Sequence, residues 1–485
     1  MLFNSYIFIL LFLPLTVCGY FLINKKNTKI ASAYLLGMSL WFYAYFNLAY
    51  LPLIVGSIAI NFGLNKLMRH VDSKGKRKAI MLLGVLLNIG VLFYYKYYDF
   101  FAENVNAVFG ADMTLLNLIL PLGISFFTFQ QVSYMVDSYH GEVPDYPILD
   151  YALFVTFFPQ LIAGPIVLHS EVVPQFMDQS KRKFNSQNFA RGMFAFALGL
   201  AKKVLLADVF GIAVGYAFGN VELLDSTNAI IGAVSYVFQM YFDFSGYSDM
   251  AIGLGWMFNI ELPVNFNAPL TSRNCKEFWR RWHITLGRFF TRYIYFPLGG
   301  SRKGTLRTCI NSLVVFAISG LWHGANWGYV IFGLNWGIMQ VVNIFVEKWW
   351  KKIPGFLQWL GMYVAVVHNA VFAQAASVKD ACTLIGKMYT FDFGPIAQEI
   401  TDGFRPMEVE LFLYDIVGKF VSMPAWAGLA LYMIGGYVLV LGVKCAAQLV
   451  REFKPNWKNA LVTIALTGLS ILSFSGVSTF LYFNF

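Results

Sequence analysis

Apolar residues run in long uninterrupted stretches at both ends of this chain and in short, broken stretches in its middle. The first run, roughly Tyr6 to Phe21, predicts a helix. Two more follow, divided near Asn47, and further long runs cover Trp327 to Val346 and roughly Ala460 to Phe474. Between Pro121 and Asn326 the runs shorten to about 12–16 residues, below the roughly 20 needed to cross a bilayer, and Pro121, Gly123, Pro159, Gly164, Pro165, Gly246 and Pro269 interrupt them. Interrupted helices persist at membrane depth only where they are buried in protein or line a watery cavity. The pattern therefore predicts an all-α polytopic membrane protein, with a thinned central core of short, broken or re-entrant helices surrounded by spanning ones. Residues 1–485 read as one integral membrane domain.

Composition agrees: 58% of the 485 residues are hydrophobic, 18% are aromatic and only 13% are charged, against about 25% charged in a soluble domain. The net charge of +10 comes from short clusters between apolar runs, which argues for membrane orientation and against nucleic acid. Lys25, Lys26 and Lys29, the Lys66 to Lys78 group, Lys348 with Lys351 and Lys352, and Lys444 to Lys458 all fall on one side if the N-terminus is outside. That side is the cytoplasm by the positive-inside rule. The first run lacks a preceding Lys or Arg and a small-x-small cleavage site, so a retained helix is expected. Five scattered cysteines, none in a CxxC pair, indicate neither a disulfide framework nor a metal site.

The densest polar stretch runs from Tyr241 to Arg307. Asp243 and Asp249 stand in apolar surroundings, where an unpaired carboxylate would cost about 2.5–3.5 kcal/mol. They are expected either to pair with arginines of the following helix or to wall an acyl-donor chamber. From Glu277 to Tyr295, Phe278, Trp282, Leu286, Phe289 and Tyr293 recur every three or four positions among Arg280, Arg281, Arg288 and Arg292. The spacing predicts one basic amphipathic helix at the interface, which could anchor to anionic lipid or collect a phosphate-rich donor. In GLWHGANW, Gly320 to Trp327, a histidine separates two apolar runs. His323 is the best general-base candidate, because imidazole can change charge near neutral pH. His70, His140 and His169 read as loop residues, and His368 lies in an apolar run.

The blocks ISFFTFQQVSYMVDSYHG, FFPQLIAGPIV, KKVLLAD, YFDFSGYSDMAIGLG, NFNAP, FWRRWHITL, YFPLGG and GLWHGANW, in that order, closely resemble the bacterial branch of the membrane-bound O-acyltransferase (MBOAT) family. Within it they resemble the membrane subunit of alginate O-acetyltransferase and its counterparts for other exopolysaccharides and peptidoglycan. The resemblance implies that His323 is catalytic and sits in a tunnel through a thinned core. It implies acetyl-CoA as the co-substrate, with Asp243, Asp249, Arg280, Arg281, His283 and Asn326 as substrate-binding candidates and no metal. Two positions depart from the pattern: Trp336 stands where relatives carry a second histidine, and Thr291 where many have Asp.

The hexapeptide FLYFNF, Phe480 to Phe485, reads from composition as an aromatic belt at the bilayer surface. It resembles a terminal acyltransferase motif whose tyrosine, here Tyr482, carries the acyl group. With no GDS block in the chain, an extracytoplasmic SGNH-type transferase is expected as partner. A polysaccharide would be the acceptor, the inner (cytoplasmic) membrane the location and membrane lipid the surroundings. D-Alanyl transfer to teichoic acid is the same-class alternative. A polysaccharide exporter is the alternative of another class, although no internal repeat supports it.

Overall fold

The computed structural model describes residues 1–474 and 479–481. Tyr482 lies outside the described residues. Every regular element among them is helical, and six helices are long and apolar enough to cross a membrane: Ile7–Asn24, Leu48–Arg69, Lys74–Phe109, Thr305–His323, Trp327–Trp350 and Gly355–Gln374. The chain packs as two compact units, residues 1–196 with 250–263, and residues 197–249 with 264–485.

The first unit contains α1 (Leu13–Asn24), α2 (Thr28–Ala44), α3 (Leu51–Arg69), α4 (Lys74–Leu92), α5 (Tyr98–Phe109), α6 (Ile124–His140), α7 (Ile148–Thr156), the short α8 (Phe158–Leu161) and α9 (His169–Met177). Phe8, Phe12, Phe42 and Phe158 pack ring against ring, with Phe12 and Phe158 edge to face at 5.2 Å. Polar residues glue the long helices where lipid supplies no hydrophobic drive. Asn61 and Asn88 exchange hydrogen bonds of 3.2 and 2.7 Å between α3 and α4. His169 is not a loop residue: it is buried at the start of α9, 3.2 Å from the Asp137 carboxylate and 3.2 Å from the Tyr146 hydroxyl.

Helix α10 (Ser186–Ala201) runs through a π-helical stretch, Lys202–Ala207, into α11 (Asp208–Gly219), and α12 spans Ser226–Met257. The middle of the chain is thus less fragmented than its apolar runs suggest. Gly246 does not interrupt α12, because its missing side chain lets the Gly199 carbonyl approach: a Cβ there would fall 2.8 Å from that oxygen. The second unit continues with α13 (Cys275–Trp279), α14 (Ile284–Phe290), α15 (Thr305–His323), α16 (Trp327–Trp350), α17 (Gly355–Gln374) and α18 (Val378–Lys387), then shorter helices up to Trp457–Leu472. Its core is aromatic, with Phe210, Phe238 and Phe242 packed together and Phe278, Trp282 and Trp336 buried in the same cluster.

Helices α15 and α16 form a tight hairpin. A Cβ on Gly320 would fall 2.8 Å from the Gly333 Cα and closer still to the Tyr329 carbonyl oxygen. Small residues permit this approach, as in other membrane helix pairs. The turn between them is set by Asn326, whose side chain accepts the Tyr329 N–H at 2.9 Å and caps α16.

Candidate active site

The predicted basic helix over 277–295 is interrupted. α13 ends at Trp279, the chain turns, and α14 begins at Ile284. At the break, His283 adopts the left-handed conformation, with φ 43° and ψ 51°. A non-glycine residue held there is strained by about 1–3 kcal/mol, and such strain gathers at functional positions. The neighbouring NFNAP segment holds it in place. Asn267 N–H donates to the Arg281 carbonyl at 2.9 Å, and Ile284 N–H to the Asn265 carbonyl at 3.0 Å.

Asn265 is fully buried and organises the polar interior of this turn. Its amide nitrogen donates to Ser248 Oγ at 3.3 Å, so its Oδ1 faces Thr285 Oγ1 at 2.9 Å and His283 Nδ1 at 3.1 Å as the acceptor. That arrangement puts the imidazole proton on Nδ1 and the lone pair on Nε2. The His283 ring packs edge-on against Phe244 at 4.7 Å. Its other neighbours are Trp322 at 5.9 Å and His323 at 6.5 Å between ring centroids. The structure therefore brings His283 and His323 together, with Trp322 against both. His323 itself ends α15 and also approaches Phe332 and Tyr329, at 5.9 and 6.5 Å.

A cavity of about 700 Å³ runs along α15 and α14. Ser312, Phe316 and Ser319 line it from α15, and His323 lies one helical turn beyond Ser319 on the same face. Lys276, Arg280, Arg288 and Glu347 supply its charges, while Trp279, Ile284, Leu286 and Phe290 supply apolar wall. A second cavity of about 420 Å³ shares Lys276, Arg280 and Glu347 and adds Asn267, Asn274, Glu277 and Arg281. The two candidate arginines differ. Arg281 is tied to Glu277 at 2.7 Å and to Thr271 Oγ1 at 3.2 Å. Arg280 is exposed, touches both cavities and has no ion pair among the described residues.

Asp243 and Asp249 pair with lysines, not with the arginines of the following segment. Lys202 Nζ lies 2.6 Å from Asp249, and Lys203 Nζ lies 2.8 Å from Asp243 and 2.7 Å from Asp208. The π-helical stretch lets two consecutive lysines both find carboxylates. The KKVLLAD block offered the signal, two cations opening an apolar run, but carboxylate partners 40 residues away cannot be read from spacing. Asn326 caps a helix, and Trp336 stacks on Phe278 at 4.8 Å and meets Trp279 at 5.1 Å. An indole there fills core and cannot act as a base. Among the described residues no group of three or more His, Cys, Asp or Glu side chains could hold a metal ion.

The chain has known relatives. Residues 117–367, slightly more than half of the chain, match the model of the membrane-bound O-acyltransferase family. The chain belongs to that family. It is a multi-pass membrane acyltransferase, and the histidine pair and the residues that line the cavity lie within the matched region. The chain is 36% identical to the peptidoglycan O-acetyltransferase of Helicobacter pylori, across 100% of this chain and 98% of that one. It is 35% identical to the probable alginate O-acetylase of Pseudomonas aeruginosa, across 81% of this chain and 75% of that one. The chain is also 29% identical to the teichoic acid D-alanyltransferase of Bacillus subtilis, across 49% of this chain and 62% of that one.

Proposed function

We propose that this acyltransferase takes an acetyl group from cytosolic acetyl-CoA, passes it through the His323 site, and delivers it outward for O-acetylation of a cell-wall or extracellular polysaccharide. The observation that carries the reading is the cavity that begins among Arg280, Lys276 and Arg288 and follows the α15 face toward His323. Arg302, Lys303 and Arg307 flank the start of α15, and Lys348, Lys351 and Lys352 the end of α16. By the positive-inside rule that end faces the cytoplasm. His323 then lies about 27 Å along the helix axis from that face, at 1.5 Å per residue. A phosphate-rich donor would bind its anionic part at the arginines and extend its thioester along the apolar wall.

At the far end His323 acts as general base. A hydroxyl oxygen bonds to the acetyl carbonyl carbon and the carbon–sulfur bond breaks. The hydroxyl proton passes to the imidazole and from it to the thiolate, which leaves as free thiol. The first acceptor is the Tyr482 phenol, whose pKa of about 10 makes it a better leaving group than a sugar alkoxide, so the second transfer also runs downhill. An SGNH-type partner outside the membrane completes delivery. Full-length likeness to a peptidoglycan O-acetyltransferase and the likeness to alginate O-acetylases support acetyl over D-alanyl transfer, since the D-alanyltransferase match covers about half of the chain.

The test is His323→Ala in cells of the source type. The variant should reach the membrane at parental abundance and leave the polymer unacetylated. Normal acetylation would remove His323 from the mechanism.

A further inference from the structure

Residues 479–481 are seated in the second unit. Phe480 is 1% exposed, packed edge-on against Tyr247 at 4.8 Å and beneath the Lys203 ammonium, which stands 4.9 Å from its ring centre. The backbone on either side is held by the same buried ion pair: Lys203 Nζ donates to the Thr479 carbonyl at 3.1 Å, and the Leu481 N–H donates to Asp243 Oδ2 at 3.0 Å. A salt bridge at this depth is costly to desolvate and stabilises little by itself. Here both partners spend a remaining hydrogen-bonding site on one three-residue backbone.

The position of this seat on α12 gives it meaning. Asp243 and Tyr247 are four residues apart and share a helix face. Phe244 and Ser248, four apart on the adjoining face, hold the other side: Phe244 packs on His283, and Ser248 bonds Asn265, which orients His283. One and a half turns of α12 thus carry the 479–481 seat and the cradle of the histidine pair side by side, within about one helix diameter, ~10 Å. The residue following Leu481 is Tyr482.

We propose that Lys203, Asp243 and Tyr247 form a dock for residues 479–481 that serves acyl loading of the chain, so that Asp243 is a positioning residue and not a wall of the donor chamber. This rests on the reading of Tyr482 as the acyl carrier. Two hydrogen bonds from the Lys203 and Asp243 side chains to its backbone fix the register of residues 479–481, and the Phe480 pocket fixes their depth.

The test uses the full-length chain in nanodiscs with labelled acetyl-CoA and mass spectrometry of the peptide containing residue 482. Phe480→Ala removes the buried ring and should slow labelling of Tyr482 by about 100-fold, with acetyl-CoA affinity unchanged; Phe480→Leu should recover most of the rate. With the dock vacated, the Phe480→Ala chain should acetylate an added synthetic peptide STFLYFNF better than the parent chain does. The same peptide with alanine in place of its first phenylalanine should fail. Asp243→Asn combined with Phe480→Ala should raise the peptide concentration for half-maximal labelling and leave the maximal rate in place, a split that a merely structural defect would not give. Parental labelling of Tyr482 in the Phe480→Ala chain would overturn the dock and leave the carrier standing. Turnover of acetyl-CoA by the parent chain into polymer acetylation, with residue 482 never labelled, would overturn the carrier and the dock with it.

Discussion

Replacing Asn265 by alanine tests whether the His283 cradle is part of the chemistry. The side chain is fully buried and serves two donors through one oxygen, His283 Nδ1 at 3.1 Å and Thr285 Oγ1 at 2.9 Å. Its loss strands both at a depth where water does not substitute, at about 1–3 kcal/mol per buried group, so destabilisation of about 2–6 kcal/mol is expected. The larger consequence concerns orientation. His283 is held in a left-handed backbone conformation 6.5 Å from His323, and the Asn265 contact selects its tautomer. A ring free to rotate would displace its neighbour by a sizeable fraction of an ångström, and misplacement of about 1 Å can cost about 100-fold in rate. Purified Asn265→Ala should therefore show a lowered midpoint in detergent thermal unfolding and a fall of about 10- to 100-fold in acetyl transfer at saturating acetyl-CoA, with donor affinity retained because Asn265 lines neither cavity. Asn265→Asp keeps an acceptor but buries a carboxylate and loses the donor to Ser248, so it should not recover the thermal stability. An Asn265→Ala protein that transfers acetyl at the parental rate would refute the claim that this cradle serves the site.

Arg280→Gln should raise the dissociation constant for acetyl-CoA about 10- to 100-fold by removing a charged donor, whereas Arg281→Gln should have a smaller effect because that guanidinium is already committed to Glu277; equilibrium binding in detergent measures both. Gly320→Val should abolish folded protein in the membrane, since the helix hairpin leaves no room for a side chain, while Gly63→Ala, with nothing within 4 Å of its added carbon, should leave abundance unchanged on immunoblots. Lys202→Met should destabilise by about 3–5 kcal/mol by stranding Asp249, and the double variant Lys202→Met with Asp249→Leu should recover much of the loss in the same thermal assay.

The chain's hydrophobic rhythm made its fold class legible, because long apolar runs and clustered positive charge are dictated by the bilayer itself. It misplaced one break in the middle. Proline and glycine read there as breaks, yet Gly246 sits inside the 32-residue α12 as a contact surface for another backbone. The periodic spacing from Phe278 to Tyr293 was real, but a tight turn at His283 divides it, and that turn depends on a partner, Asn265, that lies 18 residues upstream in NFNAP. His323 stood out as a candidate because a histidine at the junction of two apolar runs is chemically conspicuous, and the structure places it beside His283. The lysine partners of Asp243 and Asp249 were hidden, since ion pairing across helices leaves no mark in local spacing. His169 was hidden for the same reason: its polar sequence surroundings concealed burial against Asp137 and Tyr146.

The proposed route takes the acyl group in on the cytoplasmic side and out on the other through His323. Proteoliposomes sorted for one orientation, with labelled acetyl-CoA supplied only to the face bearing Arg280 and Lys348, test it directly when the partner transferase and a glycan acceptor are present only at the opposite face. The proposed route gives acetylated glycan on that opposite face with the parent chain and none with His323→Ala, while both proteins leave the vesicles sealed to free acetyl-CoA. Acetylation that occurs only when donor and acceptor share a face, or that persists without His323, would contradict it.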